Sequence, residues 1–312
     1  MRVTHEDTGP ISVVNDTDQP IRIAGYVIPP RGKHDIPRAF VPTIRAHPSL
    51  HIEGEQPAAV AAPPERKALG AFVRPELGVE VEQGVSVLIP HLDRAGMLQR
   101  ACASALASSF TELEVIVVDD GSEPGVLASL ADIASAYRKA GIPFTSVYST
   151  TNYGIGSARA MAGRVARYDL FVLLDSDDEL ASDALMTFSE TYRTTMADVI
   201  YGHCWGVDDD TGKREWMDPA EWTPGKLKKF GCFIQGPRAI SRVAWRLVSG
   251  CAEDFRRAED LDLLIRIEEA GGLFVKADKA VGTIHKHAGS VQRADKQNLG
   301  RDALRARGVV NP

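Results

Sequence analysis

The chain has 312 residues, 44% of them hydrophobic and 25% charged, with a formal net charge of −6. The length suggests about two domains and the composition is that of an ordinary globular protein. The acidic balance argues against a general nucleic-acid coat, although a local basic groove is compatible with it. Four cysteines, Cys102, Cys204, Cys232 and Cys251, are scattered and form no C-x-x-C pair. That argues against a disulfide frame or a zinc site and fits reduced thiols. The opening "MRVTHEDTGP" lacks the basic start and apolar stretch of a secretory signal. No apolar run approaches the ~20 residues that span a bilayer. The expectation is a cytoplasmic protein with no integral membrane segment.

Residues 1–56 read as a small β module. "ISVVND", "IRIAGYVIPP" and "SLHIEG" are short candidate strands separated by turn-rich "TDQP" and "RGKHDIP". Residues 57–83 read as a linker, opening with the Pro/Ala-rich "PAAVAAPPERKAL". From residue 84 to 312 strands and helices alternate. "VSVLIP" (85–90) and "LEVIVVDDGS" (113–122) are continuous apolar runs of the kind buried on both faces of a sheet. Helices are predicted over 94–109 and over 125–140, the second stopped by Gly141-Ile-Pro143. "FTSVYST" is a third strand, "GSARAMAGRVA" a helix and "LFVLLD" a fourth strand. This order implies an α/β fold with a mostly parallel Rossmann-like sheet, whose ligands bind outside the carboxyl ends of the strands.

The acids of the chain gather at those ends. In "LFVLLDSDDELASDAL" (170–185) a buried-looking strand runs straight into Asp175, Asp177, Asp178 and Glu179. Like charges this close repel, and burial makes each costlier, so a cation is required beside them. Two carboxylates one residue apart at a strand end can grip Mn²⁺ or Mg²⁺. The plainer reading is a helix start favoured by the dipole, which accounts for Glu179 and Asp183. In "VVDDGS", Asp119 and Asp120 can accept hydrogen bonds from a ribose or base, or simply shape a turn. In "TNYGIGSARA" (151–160) two glycines allow close backbone approach before a helix start that favours an anion, and Arg159 can reach a phosphate. "AEDLDLLIRIEEAGG" carries Glu259 and Asp260 at the start of a helix, where Asp260 also suits the N-cap. "TIHKHAGS" places His285 and His287 around Lys286.

The succession "SVLIP", "VVDDGS", "NYGIGSARA", "LLDSDD", "EDLDLLIRIEEAG", "HKHAGS" closely resembles the family 2 glycosyltransferases of GT-A fold. The resemblance covers about residues 84–295 and leaves 1–83 unaccounted for. It implies a metal-dependent, inverting hexosyltransferase that takes its sugar from a nucleotide sugar, commonly a UDP-sugar. By similarity Pro90, Asp119 and Asp120 line the nucleoside pocket, with Asn152, Gly156, Arg159, Asp175 and Lys286 also on the nucleotide sugar. Asp177 and His287 would hold Mn²⁺ or Mg²⁺, and Asp260, with Glu259 beside it, would be the catalytic base. Two departures stand out: "HLD" (91–93) replaces the usual aromatic or Asn after the first strand, and His285 replaces an arginine.

Residues 199–250 are expected to form the acceptor side. "VIYGHCWGVDDDTGKREW" reads as a hairpin turning at Asp210-Thr-Gly212, with Asp208–Asp210 as turn residues. Trp222, Phe230 and Phe233 lie among Lys226, Lys228 and Lys229, suited to a sugar ring or an anionic acceptor, or to an ordinary core with a solvated face. Glycan, protein, lipid carrier and modified DNA base all fit as acceptors. The β module suits oligomerisation or docking. The competing readings are a nucleotidyltransferase of similar sheet topology and a non-catalytic binding or assembly protein.

Overall fold

The structure is a computed structural model. It describes residues 82–253, 255 and 258–287, together with Arg31 and the short strands 11–15, 21–23, 26–28, 33–36 and 50–52. The chain divides into two compact units, Met1–Glu65 and Arg66–Pro312. In the first unit β1 (Ile11–Asn15), β2 (Ile21–Ile23), β3 (Tyr26–Ile28), β4 (Lys33–Ile36) and β5 (Leu50–Ile52) are short strands. β1 pairs antiparallel with β4 and β5, and β2 with β3 across the register Ile21↔Ile28. The linker expected at 57–83 lies outside the described residues up to position 81, and its last two positions are already strand.

The second unit begins with β6 (Glu82–His91), α1 (Ala95–Leu106), β7 (Leu113–Asp119), α2 (Pro124–Ala140), β8 (Phe144–Tyr148), α3 (Ile155–Val165) and β9 (Tyr168–Leu173). It continues with β10 (Glu179–Leu180), α4 (Ala184–Thr195), β11 (Val199–Asp208), β12 (Arg214–Met217), α5 (Lys226–Phe230), β13 (Arg238–Ser241), α6 (Arg242–Leu247), α7 (Glu259–Glu269) and β14 (Phe274–Lys286). The sheet order is β10-β14-β11-β13-β9-β6-β7-β8, with β12 against β11. β6 pairs parallel with both β7 and β9, and β7 with β8. β13 runs antiparallel to its two neighbours, and β11 and β14 are parallel again.

The apolar runs explain the parallel half. All seven residues of β7 are buried, and Val87, Ile89, Val115, Val117 and Val172 share one core cluster. The helices cover that core with apolar stripes at helical spacing: Leu98, Ala101, Cys102 and Ala105 of α1 are buried. α2 ends where Gly141 takes the left-handed conformation, φ 73°, which glycine adopts without strain. The chain leaves β6 toward β7 and β8, then returns to its other side with β9. That reversal opens a crevice at the carboxyl ends of these strands.

One expectation changes. Helix α4 starts only at Ala184, and Glu179 pairs in the short strand β10 against Thr283. The acids of "DSDDE" therefore do not sit in a helix N-terminus, and Asp183, at the N-cap, makes no side-chain capping bond. "TIHKH" is the end of a 13-residue strand, β14. Its alternation is broken by charged residues, and it reaches β11 through register shifts around His203, so no simple period marked it. The hairpin is as expected: Thr211 donates from N and Oγ1 to Asp208 Oδ1, both at 2.9 Å.

Candidate active site

Past the end of β9 the chain turns back on itself, Asp178 N donating to Asp175 O at 3.1 Å. The turn gathers Asp175, Asp177 and Asp178 so that one carboxylate oxygen of each lies within 4.8 Å of the others. The cations that these acids require are arginines from elsewhere in the chain. Arg94 Nη1, just ahead of α1, lies 2.7 Å from Asp177 Oδ2. Arg159 of α3 bonds Asp175 Oδ1 through Nη2. Arg100 of α1 donates to the Asp177 carbonyl at 3.2 Å and stands 3.5 Å from Glu179. His287 Nε2 meets the same Asp177 Oδ2 at 3.1 Å. Asp178 is buried and accepts His285 N at 3.0 Å. Burial, then Asp175 and Asp177, push its carboxyl well above the usual carboxylate range.

A second carboxylate pair opens α7. The helix starts at Glu259 and its N-cap is Ala258, in the left-handed region at φ 58°. Asp260 is therefore not the capping residue. Its Oδ2 receives Arg238 Nη2 at 2.8 Å and its Oδ1 receives Leu261 N at 2.8 Å. Burial would raise this carboxyl, but Arg238, then Arg159, outweigh it and hold it below the ordinary range. The Asp260 side chain keeps 26% exposure, so it is ionised and reachable. Glu259 is buried and bonded to Arg159 Nη1. Burial pushes its carboxyl up against the pull of Arg159. Of the two expected catalytic acids, then, Asp260 is open to a substrate and Glu259 is an internal partner of Arg159. Arg159 itself is 2% exposed and spans Asp175 and Glu259, so it joins the two carboxylate groups and does not extend toward a phosphate.

The other expected donor residues surround the crevice. Pro90 is buried in β6, level with Val118. Asp119 is fully buried and its carboxylate holds Ser122 through N at 2.9 Å and Oγ at 2.6 Å. Asp120 accepts Tyr153 N and Gly154 N at 2.9 and 2.6 Å. The anion expected ahead of α3 is thus Asp120. Asn152 is exposed. Gly156 makes its close approach to the chain itself, since a Cβ there would stand 2.2 Å from Ala252 O. His91, from the unusual "HLD", is buried beside Asp119 with Nε2 3.9 Å from Oδ2, and neither ring nitrogen is hydrogen-bonded.

Lys286 departs from its expected role. Successive residues of a strand face opposite ways, so His285 and His287 turn toward the acids while Lys286 pairs with Glu215 of β12. His285 is held between Asp209 Oδ1 at 2.6 Å and Glu179 Oε1 at 2.7 Å. Asp209, expected as a plain turn residue, therefore braces β14. The cation beside the acid cluster is Arg94, not Lys286.

The donor set suits a hard divalent cation. Three carboxylates and one imidazole converge, all three acids on one tight turn, and burial with like charge makes Asp178 costly to ionise without further positive charge. Asp175, Asp177, Asp178 and His287 are the residues that would hold it.

A parallel sheet core with carboxylates at its strand ends, faced by a separate carboxylate helix, defines the GT-A class of nucleotide-diphospho-sugar transferase folds. The chain belongs to glycosyl transferase family 2, whose family model matches residues 86–252 and stops short of Asp260 and His287. A chondroitin synthase of Escherichia coli is 28% identical over 190 residues, 60% of this chain and 27% of that protein. The chain thus spans about a quarter of that relative. Staphylococcus aureus TarS, residues 1–349 in complex with UDP-GlcNAc, superposes with a TM-score of 0.56 at 21% identity, over 67% of this chain and 60% of that one. The mannosyltransferase PcManGT of Pyrobaculum calidifontis, in complex with GDP-Man and Mn²⁺, gives 0.55 at 16%, over 72% and 65%. Among the described residues no helix is long and apolar enough to cross a membrane.

Proposed function

We propose that the chain transfers a sugar from a nucleoside-diphosphate sugar, UDP-linked, to an acceptor hydroxyl with inversion at the anomeric carbon. The observation that carries this reading is the pair of carboxylate centres joined by one buried arginine. Asp175 and its neighbours lie on one side of Arg159, and the α7 acids lie on the other. The relatives supply the direction: TarS was seen with UDP-GlcNAc and PcManGT with GDP-Man and Mn²⁺.

Asp260, ionised and reachable, takes the proton of the acceptor hydroxyl. The freed oxygen attacks the anomeric carbon from the face opposite the diphosphate. The bond from that carbon to the phosphate oxygen breaks, and its electrons leave with the nucleoside diphosphate. Mn²⁺ or Mg²⁺, held by Asp175, Asp177, Asp178 and His287, would supply charge neutralisation at the diphosphate. Arg94, at the rim of that cluster, adds a fixed positive charge.

The test is release of UDP from UDP-GlcNAc and other UDP-sugars, with and without Mn²⁺, set beside GDP-Man. Release of GDP from GDP-Man alone would keep the reaction and overturn the UDP assignment. Pyrophosphate as product would favour a nucleotidyltransferase, a reaction that leaves the Arg238–Asp260 pair without a role.

A further inference from the structure

We propose that a cavity beside Asp260 seats the acceptor by a neutral sugar ring, an inference that rests on the glycosyl-transfer reading above. The cavity, of about 320 Å³, opens between β11, β12 and the segment that precedes β13. That volume is at the small end of ligand pockets, which run roughly 300–1,000 Å³, and holds one sugar unit rather than a chain. Met217, Pro219, Ala220 and Phe233 line it with carbon. Cys204 contributes a thiol that burial pushes up to about 12, so it is uncharged at neutral pH. The lining includes one carboxylate, Asp218, which is mostly exposed and paired with Lys276 at 2.6 Å.

The location ties the cavity to the base. Phe233 follows Cys232, whose Sγ is 3.9 Å from Asp260 Oδ2. Arg238 binds that same Oδ2 while its Nη1 donates to the carbonyls of Ile234 and Gly236 at 3.1 and 3.2 Å. One short segment therefore forms a cavity wall and fixes the base. In the sheet β13 stands between β9 and β11. The cavity lies on the β11 side, and Asp119, Asp175 and Asp177 follow strands on the other. Inverting transfer requires the base on the acceptor's side and the diphosphate beyond the anomeric carbon, and in the sheet order the cavity and the acid turn flank β13 on opposite sides.

The chemistry of the walls selects the occupant. A pyranose presents a C–H face that packs on aromatic carbon and a hydroxyl rim that needs polar partners. Phe233 supplies the aromatic surface, its edge contact with Tyr201 at 6.4 Å holding the ring. The lysines beside the cavity are engaged, Lys276 on Asp218 at 2.6 Å and Lys226 on the Glu221 carbonyl and over the Phe233 ring, 4.9 Å from its centroid, so an anionic sugar would have to draw one of them away to be compensated among carbon walls.

The test uses the full chain labelled with ¹³C-methyl methionine, saturated with UDP and Mn²⁺. Met217 is the reporter, and Met97 and Met161 are internal controls. Methyl β-D-glucopyranoside should shift the Met217 methyl saturably and leave the controls unmoved. Ala220→Trp, which fills the cavity and keeps the Ala220 carbonyl that accepts Tyr201 Oη, should abolish that shift while UDP affinity by calorimetry stays unchanged. Phe233→Leu should weaken the shift if the tryptophan variant does not fold. A silent Met217 methyl overturns the proposal, as does an equal response to methyl β-D-glucuronide or to a short alkyl alcohol. UDP binding is read separately. A chain that binds neither UDP nor GDP refutes the transferase reading, whereas UDP binding with a silent Met217 refutes the cavity assignment alone.

Discussion

Replacing Arg238 with methionine removes the cation that holds Asp260 ionised, and the consequence can be worked out before it is measured. At 2.8 Å the attraction between the two charges is about 6 kcal/mol at an effective dielectric of ~20 and about 1.5 kcal/mol in water. Arg238 is buried but Asp260 keeps 26% exposure, which places the effect nearer the lower figure. Without Arg238 the effect of burial is less opposed, so the carboxyl should rise. The sign follows from the depressed pKa. A base held low stays charged down to acid pH, so removing its partner moves the acidic limb of activity upward.

The assay is the pH dependence of UDP release from UDP-GlcNAc with water as acceptor. Arg238→Lys keeps the charge without the planar fork and should fall between wild type and Arg238→Met. Stability moves in parallel. Truncating one partner of a buried pair costs roughly 3–5 kcal/mol, and partial exposure of Asp260 sets the expectation at about 3. For a domain of this size that lowers Tm by about 6–12 °C. The wild-type contribution is present above the ordinary carboxylate range and is lost as pH falls through the depressed pKa. A folded Arg238→Met chain that binds UDP and keeps the wild-type acidic limb would refute the reasoning, because Asp260 would then owe its charge to something else.

Asp260→Asn should keep the fold and UDP binding and lose about 10²–10⁴ in turnover; near-normal turnover would remove Asp260 from the reaction. Asp177→Ala should abolish the Mn²⁺ dependence of UDP binding in calorimetry, with His287→Ala weaker in effect, and an unchanged Mn²⁺ dependence would show that the acid turn is structural. Glu259→Gln tests the raised carboxyl beside Arg159. The wild-type contribution of Glu259 is full below the ordinary carboxylate range and lost as pH rises through the raised pKa, so Tm should decline less from about pH 4 to 8 in the variant; identical slopes would count against a raised carboxyl.

The parallel core was legible because a strand buried on both faces must be apolar at every position, as "VSVLIP" and "LEVIV" are. The acid turn was legible because three carboxylates cannot share a strand end without a reason. Their counter-ions were not. An arginine reaches its partner by register and topology, and Arg94 lies 83 positions from Asp177 while Arg159 lies 100 from Glu259. No local spacing encodes such pairs. Lys286 pairs with Glu215 for a different reason: in the strand that ends at residue 286, period-two alternation sends its side chain away from that of His285. Gly156 likewise signalled a close approach correctly, and only the packing of Ala252 and Phe255 against α3 shows that the approaching atoms belong to the chain itself.

The demand for positive charge is met at two levels with different chemistry. Arg94 and His287 both address Asp177 at a partly open rim, where their bonds can be exchanged when a phosphate or cation arrives. Arg159 is sealed, and both ends of its guanidinium are occupied. A guanidinium stays charged at any working pH and can hold two carboxylates at once through separate nitrogens. Because Asp175 belongs to the acid turn and Glu259 opens the helix that carries Asp260, Arg159 ties the acid turn to that helix. On the proposed reading, in which the acid turn holds the donor and Asp260 takes the proton, one buried side chain would set the separation between the bond to be broken and the base before any substrate binds, the preorganisation on which electrostatic catalysis depends.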